Sequence, residues 1–101
     1  MIKIGMVFKN TTYSPMLDVD ENAHLFISDI YHSDVHGEKV IWFTNEHGKR
    51  LGYFRYEALV IALDDDGNLD SLSSDFYAFK YIGTLTDEDM FQYHLSGKIC
   101  I

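Results

Sequence analysis

His32 and His36, four residues apart with Asp34 between them, are the first place in this chain where residue types match a chemistry. Imidazole nitrogens and a carboxylate can hold zinc, but a zinc site takes three or four ligands at matched spacing, and thiolate support is absent. A hydrated turn through residues 34–37 accounts for the pair. Calcium is the second candidate. Asp18, Asp20 and Asn22 occupy the first three ligand positions of an EF-hand loop with Asp29 at the twelfth, yet Ala23 stands where the loop needs glycine. Asp64, Asp66, Asn68 and Asp70 give another partial match, with Gly67 out of place. Turns explain both runs, so neither a metal nor a cofactor is expected.

Nucleophilic catalysis requires a nucleophile beside a base. Cys100 is penultimate in the sequence, where backbone order is usually poor. Ser71, Ser73 and Ser74 lie in a polar stretch without a glycine elbow, and the chain carries no phosphate loop or dinucleotide fingerprint. The expectation is a protein that is not an enzyme.

The carboxylates are better read as a field. Sixteen acids against eight Lys and Arg leave a formal charge of −8, and the excess is lopsided. Residues 1–56 hold seven acids and six bases; residues 57–101 hold nine acids and only Lys80 and Lys98. Such a surface repels nucleic acid and anionic membrane and attracts basic protein surfaces. Three acidic groups, Asp64, Asp65 and Asp66, then Asp70 and Asp75, then Asp87, Glu88 and Asp89, are interleaved with Tyr77, Tyr81, Phe91 and Tyr93. Tyrosine offers contact area at low entropic cost, and acids steer encounter with a basic partner. Asp64, Asp65, Asp66, Asp70, Asp75, Tyr77, Tyr81, Asp87, Glu88, Asp89 and Tyr93 are therefore the candidate partner-binding residues. An alternative site is a pocket for a small molecule or nucleotide lined by Trp42, Tyr53, Phe54 and Tyr56, with Arg50 and Arg55 beside Lys49 as the only local basic cluster.

These residues need a scaffold. A chain of 101 residues with 47% hydrophobic residues has enough apolar material for one core and too little length for two, so residues 1–101 read as a single domain. One cysteine cannot form an internal disulfide. No run approaches the ~18 apolar residues of a membrane span, and no signal-peptide pattern opens the sequence, so a cytoplasmic protein is expected.

Alternation and β-rich composition predict strands at residues 2–9, 23–32, 39–44, 50–56 and 76–83. On the first, Ile2, Ile4, Met6 and Phe8 share a face; on the last, Tyr77, Phe79 and Tyr81 do. Residues 10–22, with the only proline, read as a loop. Residues 59–63 fit a buried strand or a helical turn. Residues 45–49 and 64–68 share one layout, a turn-favouring first residue and glycine fourth, which suits a type I turn closed by a left-handed glycine. Thr86 reads as an N-cap with the acids behind it, an imperfect capping box because Asp89 replaces Glu. Residues 90–95 form the helix, Gly97 stops it, and Phe91 and Leu95 are expected to pack it on the sheet.

The fold expected is mainly β (α+β): an antiparallel meander or SH3-like barrel of five to six short strands with one short C-terminal helix. Residues 1–63 resemble the small SH3-like barrels of phage and bacterial proteins, through Lys3-Ile4-Gly5-Met6-Val7-Phe8 as opening strand and Val40-Ile41-Trp42-Phe43-Thr44 as a central one. Gly48 in the hairpin, and Arg50-Leu51-Gly52-Tyr53-Phe54 leading into Tyr56-Glu57-Ala58-Leu59, complete the match. The resemblance implies a fold and no activity. In composition the chain is similar to small acidic phage-encoded inhibitors of host nucleases and defence proteins. The function expected is a non-enzymatic protein-binding module that occupies a nucleic-acid-binding surface of its target. Homo-oligomeric assembly, for example through a sheet edge at residues 2–9, is the alternative.

Overall fold

The computed structural model describes residues 2–11, 22–72 and 77–97, and at residues 70–72, 77 and 78 it describes the backbone alone. Residues 12–21 with Asp18 and Asp20, expected as a loop, residues 73–76 with Ser73, Ser74, Asp75 and Phe76, and Cys100 lie outside the described residues.

Among the described residues, six strands form one open antiparallel sheet: β1 (Met6–Asn10), β2 (His24–Ser33), β3 (Glu38–Asn45), β4 (Arg50–Arg55), β5 (Leu69–Leu72) and β6 (Tyr77–Thr84). Helix α1 (Tyr56–Ala62) joins β4 to β5, and α2 (Asp87–Ser96) follows β6. The spatial order is β4-β3-β2-β1-β6-β5, so β4 and β5 are the edges.

The strand period of two sorts side chains to opposite faces. Ile41 and Phe43 of β3 join Phe8, Leu25, Ile27 and Phe79 in a core where all six are fully buried. Phe43 meets Phe79 at 5.5 Å between ring centroids and Phe8 at 6.0 Å. Since β2 and β1 separate β3 from β6 in the sheet, that contact requires the sheet to curl until its two halves face each other. Each buried phenylalanine contributes about 1.5–3 kcal/mol through loss of apolar surface from water. Helix α1 packs against β3, β4 and β5 on this concave side, with Leu59 fully buried.

Several sequence expectations change. Residues 59–62 are helical, as the end of α1, and Leu63 follows as its extended C-cap: Tyr56, Leu59 and Leu63 recur at helical spacing and all turn to the core. Strand β5 was not foreseen; Leu63 bridges to Leu69 and opens a short hairpin there. The first strand starts at Met6 rather than Ile2, because Gly5 takes φ +97 and turns Ile4 outward. The Gly5 carbonyl accepts from the Leu85 N–H and its N–H donates to the Ile27 carbonyl. Nor is this segment an edge: β1 lies between β2 and β6, so residues 2–9 offer no free strand for assembly.

Both predicted turns form, and they are alike. Asn45 Oδ1 accepts from the His47 and Lys49 N–H groups, and Asp64 Oδ1 from those of Asp66 and Asn68. Gly48 and Gly67 sit at φ +86 and +84, where only glycine is at ease.

Helix α2 carries a complete capping box despite the shorter acid. The Asp89 N–H donates to Thr86 Oγ1 at 3.1 Å, and the Thr86 N–H donates to Asp89 Oδ2 at 3.0 Å. Its sheet-facing side is not the expected one. Tyr93 stands edge-on to Phe26 at 5.1 Å and Met90 is half-buried, whereas Phe91 is 57% and Leu95 67% exposed. With 3.6 residues per turn, Met90 and Tyr93 share one side, and Phe91 and Leu95 lie together on another. The face α2 covers is the convex one, since Phe26 alternates with core-facing Leu25 and Ile27.

Candidate functional site

The described acids of the chain's second half include two exposed groups. Asp64, Asp65 and Asp66 form the exposed turn between α1 and β5. Asp64 is occupied in holding its own turn, which leaves Asp65 and Asp66 facing water. Gly67 of the same turn lies against the Tyr81 ring, and Asn68 Oδ1 accepts the Tyr81 N–H at 2.9 Å. Asp87 and Glu88 are exposed in the first turn of α2, where negative charge is favoured by the helix dipole, and Asp89 is held in the capping box.

The tyrosines do a different job from the one their spacing suggested. Tyr81 is half-buried, stacks edge-on with Phe8 at 5.9 Å and hydrogen-bonds Thr84 Oγ1. Tyr93 is the contact that seats α2 on Phe26. Both are half-buried and make contacts within the fold. At Asp70 and Tyr77 the backbone alone is described, with Asp70 opposite Ala78 and Tyr77 opposite Leu72 across the β5–β6 pair, and Asp75 lies outside the described residues.

Two large apolar side chains of α2 do face outward. Glu88, Phe91 and Leu95 are spaced three and four residues apart, and Asp87 precedes Phe91 by four, so the free acids and two large exposed apolar side chains share one stripe of α2. The helix holds no Lys or Arg; His94 in its last turn is the one group there able to carry positive charge. No signal in the sequence gave this side: Met90 and Tyr93 could be assigned to the sheet only by knowing that Phe26 points outward.

The alternative ligand residues are partly assembled. On the convex face of β2–β4, Trp42 packs against Tyr53 at 5.1 Å, Tyr53 against His36 at 4.7 Å, and the indole N–H of Trp42 donates to the Tyr31 hydroxyl at 2.8 Å. The Arg50 guanidinium lies over Trp42 at 4.5 Å and pairs with Asp29. A bulge after Ile27 sets Asp29 opposite Trp42. Arg55 is turned to Glu38 at 2.8 Å, Tyr56 lies under the Lys39 ammonium, and Phe54 packs on Phe43 in the core. Trp42, Arg50 and Tyr53 therefore meet, while Phe54, Arg55 and Tyr56 point elsewhere. Both guanidiniums face carboxylates.

His32 and His36 gather no third ligand: among the described residues no group of three or more His, Cys, Asp or Glu is placed to hold a metal. No helix among them is long and apolar enough to cross a membrane. An open cleft of about 440 Å³ lies along α1, lined by Tyr56, Glu57, Val60 and Ile61.

Compared with protein families, with curated proteins and with solved structures, the chain matches none.

Proposed function

We propose that this protein is a non-enzymatic binding module that docks on a basic protein surface through acidic residues of its second half, with α2 as the contact element. The observation that carries this reading is the shared stripe of Asp87, Glu88, Phe91 and Leu95. Carboxylates steer the encounter with Lys and Arg, and buried apolar side chains hold the complex once formed. Asp65 and Asp66 extend the same field. A surface that ordinarily holds nucleic acid suits such a protein, because carboxylates then stand where phosphates would. That form of the reading is the phage-type inhibitor of a nuclease or defence protein.

The strand order, the Phe43–Phe79 contact and the position of α1 support taking the sheet as an SH3-like barrel left open between β4 and β5. In that frame the convex face carries α2 as an added element.

The test is capture of partners from a bacterial lysate by tagged protein at low and high salt, beside the variant Asp87→Lys/Glu88→Lys. The expected result is one stoichiometric basic partner, retained at low salt by the wild type and lost from the variant. A partner held equally by both, or none at either salt, overturns the reading.

A further inference from the structure

We propose that Trp42 and Asp29 form a receptor for an arginine side chain of the partner, and that the chain's own Arg50 fills it until that partner arrives. The inference rests on the reading of a basic partner and names the residue type that the partner inserts. Arg50 itself is the first observation. Its guanidinium lies over the Trp42 ring at 4.5 Å and pairs with the Asp29 carboxylate, so a guanidinium demonstrably fits between ring and acid. That pairing favours arginine over lysine. A guanidinium is flat, always charged and weakly hydrated, and it stacks on an aromatic face while its edge meets a carboxylate; an ammonium is a compact, strongly hydrated point charge.

The cradle does not depend on Arg50 for its shape. The bulge after Ile27 sets Asp29 opposite Trp42 across the β2–β3 pair, and the indole is held by its own bond to the Tyr31 hydroxyl at 2.8 Å and by Tyr53 packed 5.1 Å away. Arg50, by contrast, comes from the edge strand β4 and is loosely held: its side chain is 49% exposed and that of Asp29 42%. An ion pair so open to water gains little, so an incoming guanidinium displaces it at small cost. The position also suits the partner proposed above. Phe26, on which Tyr93 of α2 stands, lies opposite Thr44, and Thr44 and Trp42 are two residues apart on one face of β3. Two residues of strand span about 7 Å, so the cradle and the seat of α2 are neighbours on the convex face and one partner can touch both.

Trp42 is the only tryptophan in the chain, so its fluorescence reports directly on the cradle. The experiment titrates tetra-arginine and tetra-lysine peptides, equal in charge, into wild type, Arg50→Ala and Arg50→Ala/Asp29→Asn at one ionic strength. Circular dichroism checks the fold of each variant. The readout is the ratio of the two affinities, which cancels the attraction of any cation to an acidic protein. Arg50→Ala vacates the cradle and is expected to prefer tetra-arginine about two- to fivefold, the gain of one exposed cation–π contact. Wild type is expected to show a smaller preference, because Arg50 competes, and the double variant none. Equal affinities in Arg50→Ala, a preference larger in wild type than in Arg50→Ala, or a preference that survives Asp29→Asn overturns the proposal. The lysate capture can fail and leave this result standing, since the peptides are the probe here; the cradle can fail while α2 keeps its partner.

Discussion

Phe43 and Trp42 are neighbours in sequence with opposite duties. Phe43 is fully buried and touches Phe8, Phe54 and Phe79, so it ties β3 to β1, β4 and β6 at once. Phe43→Ala is expected to cost about 3–5 kcal/mol, read from denaturant unfolding, because the cavity opens where the curled sheet meets itself. Arg50 on the other face sits over Trp42 and pairs with Asp29, but both partners are nearly half exposed. Exposed pairs gain little against water and salt, so Arg50→Ala should cost no more than about 1 kcal/mol in the same assay. A loss near that of Phe43→Ala would mean the convex aromatic row is a second core. The alternation of residues 40–44 was legible as a strand. Which of its faces was the core was not, since both carry large aromatic residues.

Helix α2 shows how far local rules reach. Its start and stop were readable because caps are local: Thr86, Asp89 and Gly97 settle them among themselves. Thr86→Ala removes one bond of the box and is expected to cost about 0.5–2 kcal/mol in unfolding experiments. Its docking side was not readable, because that depends on where Phe26 points, more than sixty residues upstream. Gly48→Ala tests the docking of its other end. The residue sits at φ +86, and an added Cβ would collide with the Gly97 carbonyl oxygen at the end of α2. The expected result is faster amide hydrogen exchange through α2, while the β1–β2 pair keeps its protection. Uniform loss of protection would show that α2 and the sheet unfold as one unit. Helix α1 and β5 were hidden for a related reason. Seven residues is too short a run for periodicity to separate helix from strand, and the four-residue β5 is defined by Leu63 and Phe79 across from Leu69.

At the scale of the whole molecule the imbalance of charge was plain in the sequence, and the proposed binding role rests on it. Which apolar residues beside these acids face outward was not legible. Tyr81 and Tyr93 were the expected anchors and instead hold the frame, while Phe91 and Leu95, expected inside, stand out beside Asp87 and Glu88. The most direct test is the salt dependence of affinity for the captured basic partner, compared among wild type, Asp87→Lys/Glu88→Lys and Phe91→Ser/Leu95→Ser. The expected result is that the charge variant binds more slowly and loses salt sensitivity, whereas the apolar variant dissociates faster with its salt sensitivity intact. Affinity and salt dependence unchanged in both variants would contradict the assignment of α2 as the contact.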